Sequence, residues 1–83
     1  LMLQAAKIRA ARAMLGWRQE DLAKAAKTGL ATIARIEQRD GPAQGHTSTI
    51  IRIQEALERA GVRFTEGETG AFGVQLVPKK QKR

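Results

Sequence analysis

The sequence contains no cysteine and no tyrosine, and its 83 residues include one serine and one histidine. Without cysteine the chain can form neither disulfides nor thiolate metal sites. Ser48 and His46 are too few to supply a nucleophile, a general base and an orienting partner, so the composition argues against an enzyme. We therefore expect no catalytic residues, no metal site and no cofactor.

Aromatic residues are scarce as well. Trp17, Phe64 and Phe72 all fall at positions predicted to be apolar, which argues against a platform for stacking single-stranded bases. No apolar run approaches the ~20 residues that a membrane span needs. Lys7 and Arg9 interrupt the first apolar stretch, so we expect no signal peptide, no membrane partner and a cytoplasmic location.

Positive charge is in excess, and it is unevenly distributed. Residues 1–54 contain nine Lys and Arg against four Asp and Glu, residues 55–78 have a net charge of −2, and the last five residues contribute +4, which together make the formal +7. The two basic regions suggest a polyanionic partner. A basic, solvated surface without such a partner is an equally good interpretation of charge alone.

Apolar periodicity and helix-ending residues predict four helices. The third has Leu30, Ile33 and Ile36 on its apolar face, and the fourth begins after an N-cap at Thr47 or Ser48. The predicted ranges are Leu3 or Gln4 to Leu15, ended by Gly16; Gln19 to Ala26; Gly29 or Leu30 to Gln38; and a fourth helix that ends near Ala60.

After Gly61 the apolar period changes to two, which predicts an antiparallel hairpin from the runs Val62–Thr65 and Val74–Val77. We divide the chain into a helical domain (1–61), a hairpin (62–78) and a disordered basic tail (79–83). An isolated hairpin is marginally stable, so it must pack on the helices or pair with another chain. Pairing of exposed strand edges between two chains is the favoured dimer contact, and packing of the fourth helix against its mate is the alternative. The predicted interface residues are Val62, Phe64, Val74 and Leu76.

The second and third helices are joined by only three residues, Lys27, Thr28 and Gly29. Two short helices joined in this way within a four-helix core are typical of a helix-turn-helix DNA reader. The side of the third helix opposite its apolar face presents Thr32 and Arg35, and arginine is the side chain that most often reads guanine. The third helix by itself is equally consistent with a solvated amphipathic helix.

The longer strings RAMLGWRQEDLAKAA (residues 12–26) and GLATIARIE (residues 29–37) resemble the phage Cro/repressor-type helix-turn-helix domain of the XRE family of bacterial regulators. The resemblance covers about residues 4–60. It implies a mainly α, four-helix, lambda-repressor-like DNA-binding domain, here followed by a C-terminal β-hairpin. Lys27, Thr28 and Gly29 depart from the family, which often has glycine, an apolar residue and a Ser or Thr cap at these positions.

The resemblance also implies roles for individual residues, and it implies that Glu37 is structural. The residues placed at bases are Gly29, Leu30, Ala31, Thr32 and Arg35, and those placed at the DNA backbone are Arg12, Arg18, Gln19, Lys27, Thr28 and Arg39.

The implied function is sequence-specific binding of double-stranded DNA by a transcriptional regulator, most often a repressor that acts as a homodimer on an inverted repeat. Two alternatives remain. The chain could be an antitoxin-type or other protein-interaction module that binds DNA only for autoregulation, or a DNA-binding protein without sequence specificity.

Overall fold

The computed structural model describes residues 3–66 and 72–76. These residues form four α-helices followed by an antiparallel β-hairpin, so the predicted mainly α class is confirmed. The elements are α1 (Ala5–Leu15), α2 (Gln19–Ala26), α3 (Leu30–Gln38), α4 (Thr47–Arg59), β1 (Val62–Glu66) and β2 (Phe72–Leu76).

Local signals determine most of the helix ends. Gly16 adopts a left-handed conformation with φ 70°, and the Trp17 N–H donates to the Arg12 carbonyl at 2.9 Å, which closes α1 as predicted. The predicted N-cap of α4 is wrong, because α4 begins at Thr47 with His46 in the cap position. Thr49 lies on the buried face of α4, one turn before the core residue Ile53.

The hydrophobic core lies between the four helices. Its largest fully buried side chains are Ile8, Leu22, Ile33, Ile36, Ile53 and Leu57. The buried positions of Ile33 and Ile36 confirm two of the three predicted core residues of α3. Leu30, which was assigned both to the apolar face and to base contact, is the first residue of α3 and is 45% exposed.

The hairpin packs on the helices and shares their core. β1 contacts α4 and β2 contacts α1, while the strands pair Val62 with Leu76 and Phe64 with Val74. Val62 is buried. The ammonium group of the buried Lys7 on α1 donates to the Thr65 carbonyl at 3.3 Å, which ties β1 to the first helix.

The second strand begins at Phe72, two residues before the predicted start. Residues 77–78 of the predicted hairpin and the predicted tail, 79–83, lie outside the described residues. In the described parts of the chain, no helix is long and apolar enough to cross a membrane.

Candidate nucleic-acid interface

A tight turn sets the position of α3 relative to α2. Lys27 ends α2 in the left-handed conformation (φ 56°, ψ 50°), and the Thr28 N–H donates to the Ala23 carbonyl at 2.9 Å. Gly29 then returns to extended backbone as the N-cap of α3. Lys27 is the one non-glycine residue with positive φ within residues 3–66 and 72–76. A side chain in this conformation costs about 1–2 kcal/mol, as expected where lysine occupies a position often held by glycine.

The outer face of α3 carries the residues predicted to read bases. Gly29, Leu30, Ala31 and Arg35 are exposed and Thr32 is half-buried. Ile33 and Ile36 point into the core from the other side of the same helix. The structure therefore presents the predicted base-reading residues together on one accessible surface, while their contact with DNA stays a prediction.

Three of the cations predicted to contact the DNA backbone are exposed. Lys27 lies in the turn before α3, Arg39 lies at the C-terminal end of α3, and Arg18 is the N-cap of α2. The Arg18 Nε lies 3.6 Å from Glu20 Oε1 in an exposed pair, and Arg39 Nη1 donates to Gln44 Oε1 at 2.8 Å. Exposed contacts of this kind contribute about 0–1 kcal/mol, so these side chains can exchange them for a phosphate at little cost.

Beneath the surface, a buried carboxylate joins three helices. Glu37 of α3 has a side chain that is 3% exposed, and it accepts hydrogen bonds from Arg12 Nε and Nη2 of α1, both at 2.8 Å. Gln19 Nε2 of α2 donates to the same carboxylate at 3.1 Å. The hydrogen bond to Glu37 raises the pKa of Arg12 above its ordinary value, against an opposing effect of burial. The expectation that Glu37 is structural is confirmed.

The same network changes the interpretation of two predicted phosphate contacts. Arg12 donates to Glu37 through two of its nitrogens and to the Trp17 carbonyl, at 3.0 Å, through the third. Gln19 is half-buried and also bonded to Glu37. The structure thus shows Arg12 and Gln19 as supports of α3, and phosphate binding by either remains a prediction.

Sequence reasoning missed Arg9. Its Nη1 donates to the Glu37 carbonyl in the last turn of α3, and its Nη2 lies 3.9 Å from the exposed Asp40 carboxylate. Arg9 and Arg12 are three residues apart, so they lie on the same side of α1 and hold the same residue of α3. The i, i+3 spacing of the two arginines indicated that they share one side of α1. It could not indicate that their common partner is Glu37, which lies 25 residues or more along the chain.

The predicted dimer residues are placed differently from one another. Val62 is buried, and Phe64 and Val74 pack partly buried against the chain's own core, whereas Leu76 is 46% exposed. Three of the four predicted side chains therefore contact their own helices. Dimerisation through the hairpin stays a prediction that depends on the strand edges and on Leu76.

The described residues offer no metal site. Among residues 3–66 and 72–76 there is no cluster of three or more His, Asp or Glu side chains that could hold a metal ion. His46 serves as the backbone cap of α4, without a side-chain cap hydrogen bond.

The short α2–turn–α3 unit, the buried support beneath it and the exposed face of α3 together define a helix-turn-helix domain. Residues 8–59 match the family model described as helix-turn-helix, which covers more than half of the chain. The protein belongs to the XRE family of Cro/repressor-like helix-turn-helix regulators, a family of DNA-binding transcription regulators. Comparison with curated proteins and with solved structures gives no match.

Proposed function

We propose that this protein is a sequence-specific transcriptional regulator, used as a repressor, that binds an inverted-repeat operator as a homodimer. The observation that carries the proposal is the outer face of α3. Arg35 is exposed there, and its side chain has no hydrogen-bond or ion-pair partner among the described residues. The buried Glu37 network fixes the helix that presents it.

Base reading depends on the small residues that precede Arg35. Gly29 and Ala31 allow the start of α3 to approach the floor of the major groove closely. Thr32 can then donate to or accept from a base edge, and Arg35 can make a bidentate contact with guanine O6 and N7. Phosphate contacts carry no sequence information but hold α3 in register. The exposed Arg18, Lys27 and Arg39 and the half-buried Thr28 are suited to this, with Gln19 and Arg12 behind them.

A single α3 spans only a few base pairs, so useful specificity requires two copies. Two-fold related copies would read half-sites about 34 Å apart, or a multiple of that distance, and the operator would be palindromic. Repression follows from occupancy of such a site where polymerase has to bind.

The experiment that tests this proposal is selection of bound duplexes from a random library at near-physiological salt, followed by sequencing. An enriched inverted repeat is the expected result and gives the half-site spacing. Recovery of DNA without any motif, with binding lost steeply as salt rises, would contradict the proposal and favour non-specific binding. If the chain bound few duplexes, whether with or without a shared motif, the protein-interaction module would be favoured.

Arg35→Ala tests the reading residue, with Arg39→Ala as the matched control. We expect Arg35→Ala to weaken binding to the preferred site by about 1–3 kcal/mol and to relax specificity at one base pair. Arg39→Ala should weaken binding to all sequences alike and reduce the salt dependence by about one ion. An equal loss on every sequence for Arg35→Ala would show that this residue holds phosphate and does not read bases.

A further inference from the structure

The C-terminal ends of α1 and α2 are closed by the same kind of backbone hydrogen bond. The Trp17 N–H donates to the Arg12 carbonyl at 2.9 Å, and the Thr28 N–H donates to the Ala23 carbonyl at 2.9 Å. The left-handed residue that follows each helix is a glycine after α1 but Lys27 after α2. The end of α2 therefore carries a backbone strain that the end of α1 does not, because glycine adopts this conformation freely.

A side chain from α4 supplies a further hydrogen bond at the end of α2. Arg52 Nε donates to the Ala26 carbonyl at 3.1 Å, across 26 positions of the chain. Ala26 is 1% exposed, so water has almost no access to that carbonyl, and a buried carbonyl without a donor is costly. The positive guanidinium also lies at the negative end of the α2 macrodipole. Arg52 is thus bonded to the last residue of α2, directly before the strained Lys27.

The guanidinium of Arg52 is also held from its own helix. Its Nη2 lies 3.5 Å from the hydroxyl of Thr49, one turn earlier on α4. Glu55 lines the same small cleft as Arg52 and Lys27, yet Arg52 forms no ion pair with Glu55 in the described part of the chain. Arg52 therefore connects α4 to the backbone of α2, on which α4 packs, and not to the carboxylate on its own helix.

The start of α3 depends on the α2–α3 turn more than its end does. Gly29 is the N-cap of α3 and makes no side-chain cap hydrogen bond. The other end of α3 is held by the hydrogen bonds that Glu37 accepts from Arg12 and Gln19. Because most of the predicted base-reading positions follow the turn directly, a shift of the turn displaces them.

We propose that Arg52 is a positioning residue for base reading: its hydrogen bond to the Ala26 carbonyl fixes the α2–α3 turn and, through the turn, the start of α3. The proposal rests on the proposed function and deepens it, because it assigns part of the sequence discrimination to a side chain of α4 that acts through the turn and not by contact with DNA. Arg12 and Gln19 hold the opposite end of the same helix.

Amide hydrogen exchange tests the turn without DNA. Arg52→Met keeps the aliphatic part of the side chain over the carbonyl and removes the donors, and Arg59→Met is the matched control. Arg59 lines the same cleft and is exposed, and it has no hydrogen-bond or ion-pair partner among the described residues. Its loss therefore changes the charge of α4 equally without removing a bond.

A neutral-acceptor hydrogen bond shifts an equilibrium by about two- to tenfold. In Arg52→Met we therefore expect the Thr28 amide to exchange faster, by about that factor, relative to the equivalent Trp17 amide at the end of α1. Arg59→Met should leave the ratio of the two exchange rates unchanged. Equal acceleration of both amides in Arg52→Met would show a general loss of stability and overturn the proposal, as would an unchanged Thr28 rate.

DNA binding tests the consequence for base reading. The discrimination ratio is the affinity for the selected duplex divided by the affinity for a scrambled duplex of the same length, measured where circular dichroism shows each variant to be folded. We expect Arg52→Met to lower this ratio by about two- to tenfold and to keep the wild-type slope of log affinity against log salt concentration. Equal weakening on both duplexes with a slope smaller by about one would indicate a phosphate contact and overturn the proposal. So would an equal loss of discrimination in Arg59→Met.

The two tests separate this proposal from the function on which it rests. If the wild type selects an inverted repeat and Arg52→Met discriminates as well as the wild type does, the positioning role is wrong and the regulator stands. If the wild type selects no motif, the proposed function fails, and the exchange rates of Thr28 and Trp17 still decide whether Arg52 fixes the turn.

Discussion

Removal of Arg12 is the most informative perturbation of the support beneath α3. In Arg12→Met, the Glu37 carboxylate stays buried but loses both of its hydrogen bonds to the guanidinium and keeps the one from Gln19. Loss of one partner from a buried ion pair costs about 3–5 kcal/mol. A domain of this length has a total stability of roughly 4–12 kcal/mol. We therefore expect Arg12→Met to lose a large share of its stability.

Urea unfolding measures this loss, followed both by far-UV circular dichroism and by the fluorescence of Trp17. Trp17 is the single tryptophan of the chain, and its carbonyl accepts from Arg12 Nη1, so its emission reports on the site itself. The double variant with Arg12→Met and Glu37→Leu should recover to within about 1–2 kcal/mol of the wild type, because no buried charge remains. Arg18→Met is the matched control, since its guanidinium is exposed and its pairing is weak.

The reasoning is refuted if Arg12→Met is destabilised no more than Arg18→Met, or if removing Glu37 as well makes the protein still less stable. The folded double variant also decides the predicted phosphate contact of Arg12. If its DNA affinity falls and the slope of log affinity against log salt concentration decreases by about one, Arg12 contacts phosphate. If that slope is unchanged, Arg12 only supports α3.

Two further substitutions test the turn and the hairpin. Lys27→Gly relieves the left-handed strain of about 1–2 kcal/mol, but glycine loses about 0.5–1 kcal/mol more backbone entropy on folding, so stability should rise by about 0.5–1 kcal/mol, or a few degrees in thermal melting. DNA binding should weaken if the ammonium group contacts phosphate. An unchanged or lower melting temperature would contradict the strain at this turn. Gly73→Ala would place a Cβ in steric overlap with Thr65 Oγ1, so it should destabilise the hairpin by about 1 kcal/mol, and Thr65→Ala in the same chain should relieve the clash. Equal melting temperatures for the wild type and Gly73→Ala would refute that contact.

Features with a local cause were predictable from the sequence. The ends of α2 follow from acidic residues in its first turn and from the break at Lys27, and the end of α1 follows from Gly16, because each signal acts within one turn of the helix. The N-cap of α4 was misplaced by one or two residues, because the cap position is held by His46 and not by Thr47 or Ser48, and no side chain makes a cap hydrogen bond there.

Features that depend on partners far along the chain were not predictable in the same way. Periodicity placed Leu30 with Ile33 and Ile36, but periodicity does not say how far a core extends beyond the end of a helix. It also placed four apolar residues on one face of the hairpin without saying whether that face meets the chain's own helices or another copy. The packing of β1 on α4 and of β2 on α1 shows that three of the four, Val62, Phe64 and Val74, contact the chain's own core.

The sequence by itself was enough to predict a four-helix domain with a helix-turn-helix and a C-terminal hairpin. Helix periodicity, helix-ending residues and a three-residue turn all depend on residues that are close together along the chain. Packing alone brought Arg9, Arg12 and Gln19 together at Glu37. It also left Ile51 exposed on α4. The physical reason is that a buried charge requires donors from whichever helices surround it, and only the three-dimensional arrangement of α1, α2 and α3 determines which side chains reach that carboxylate.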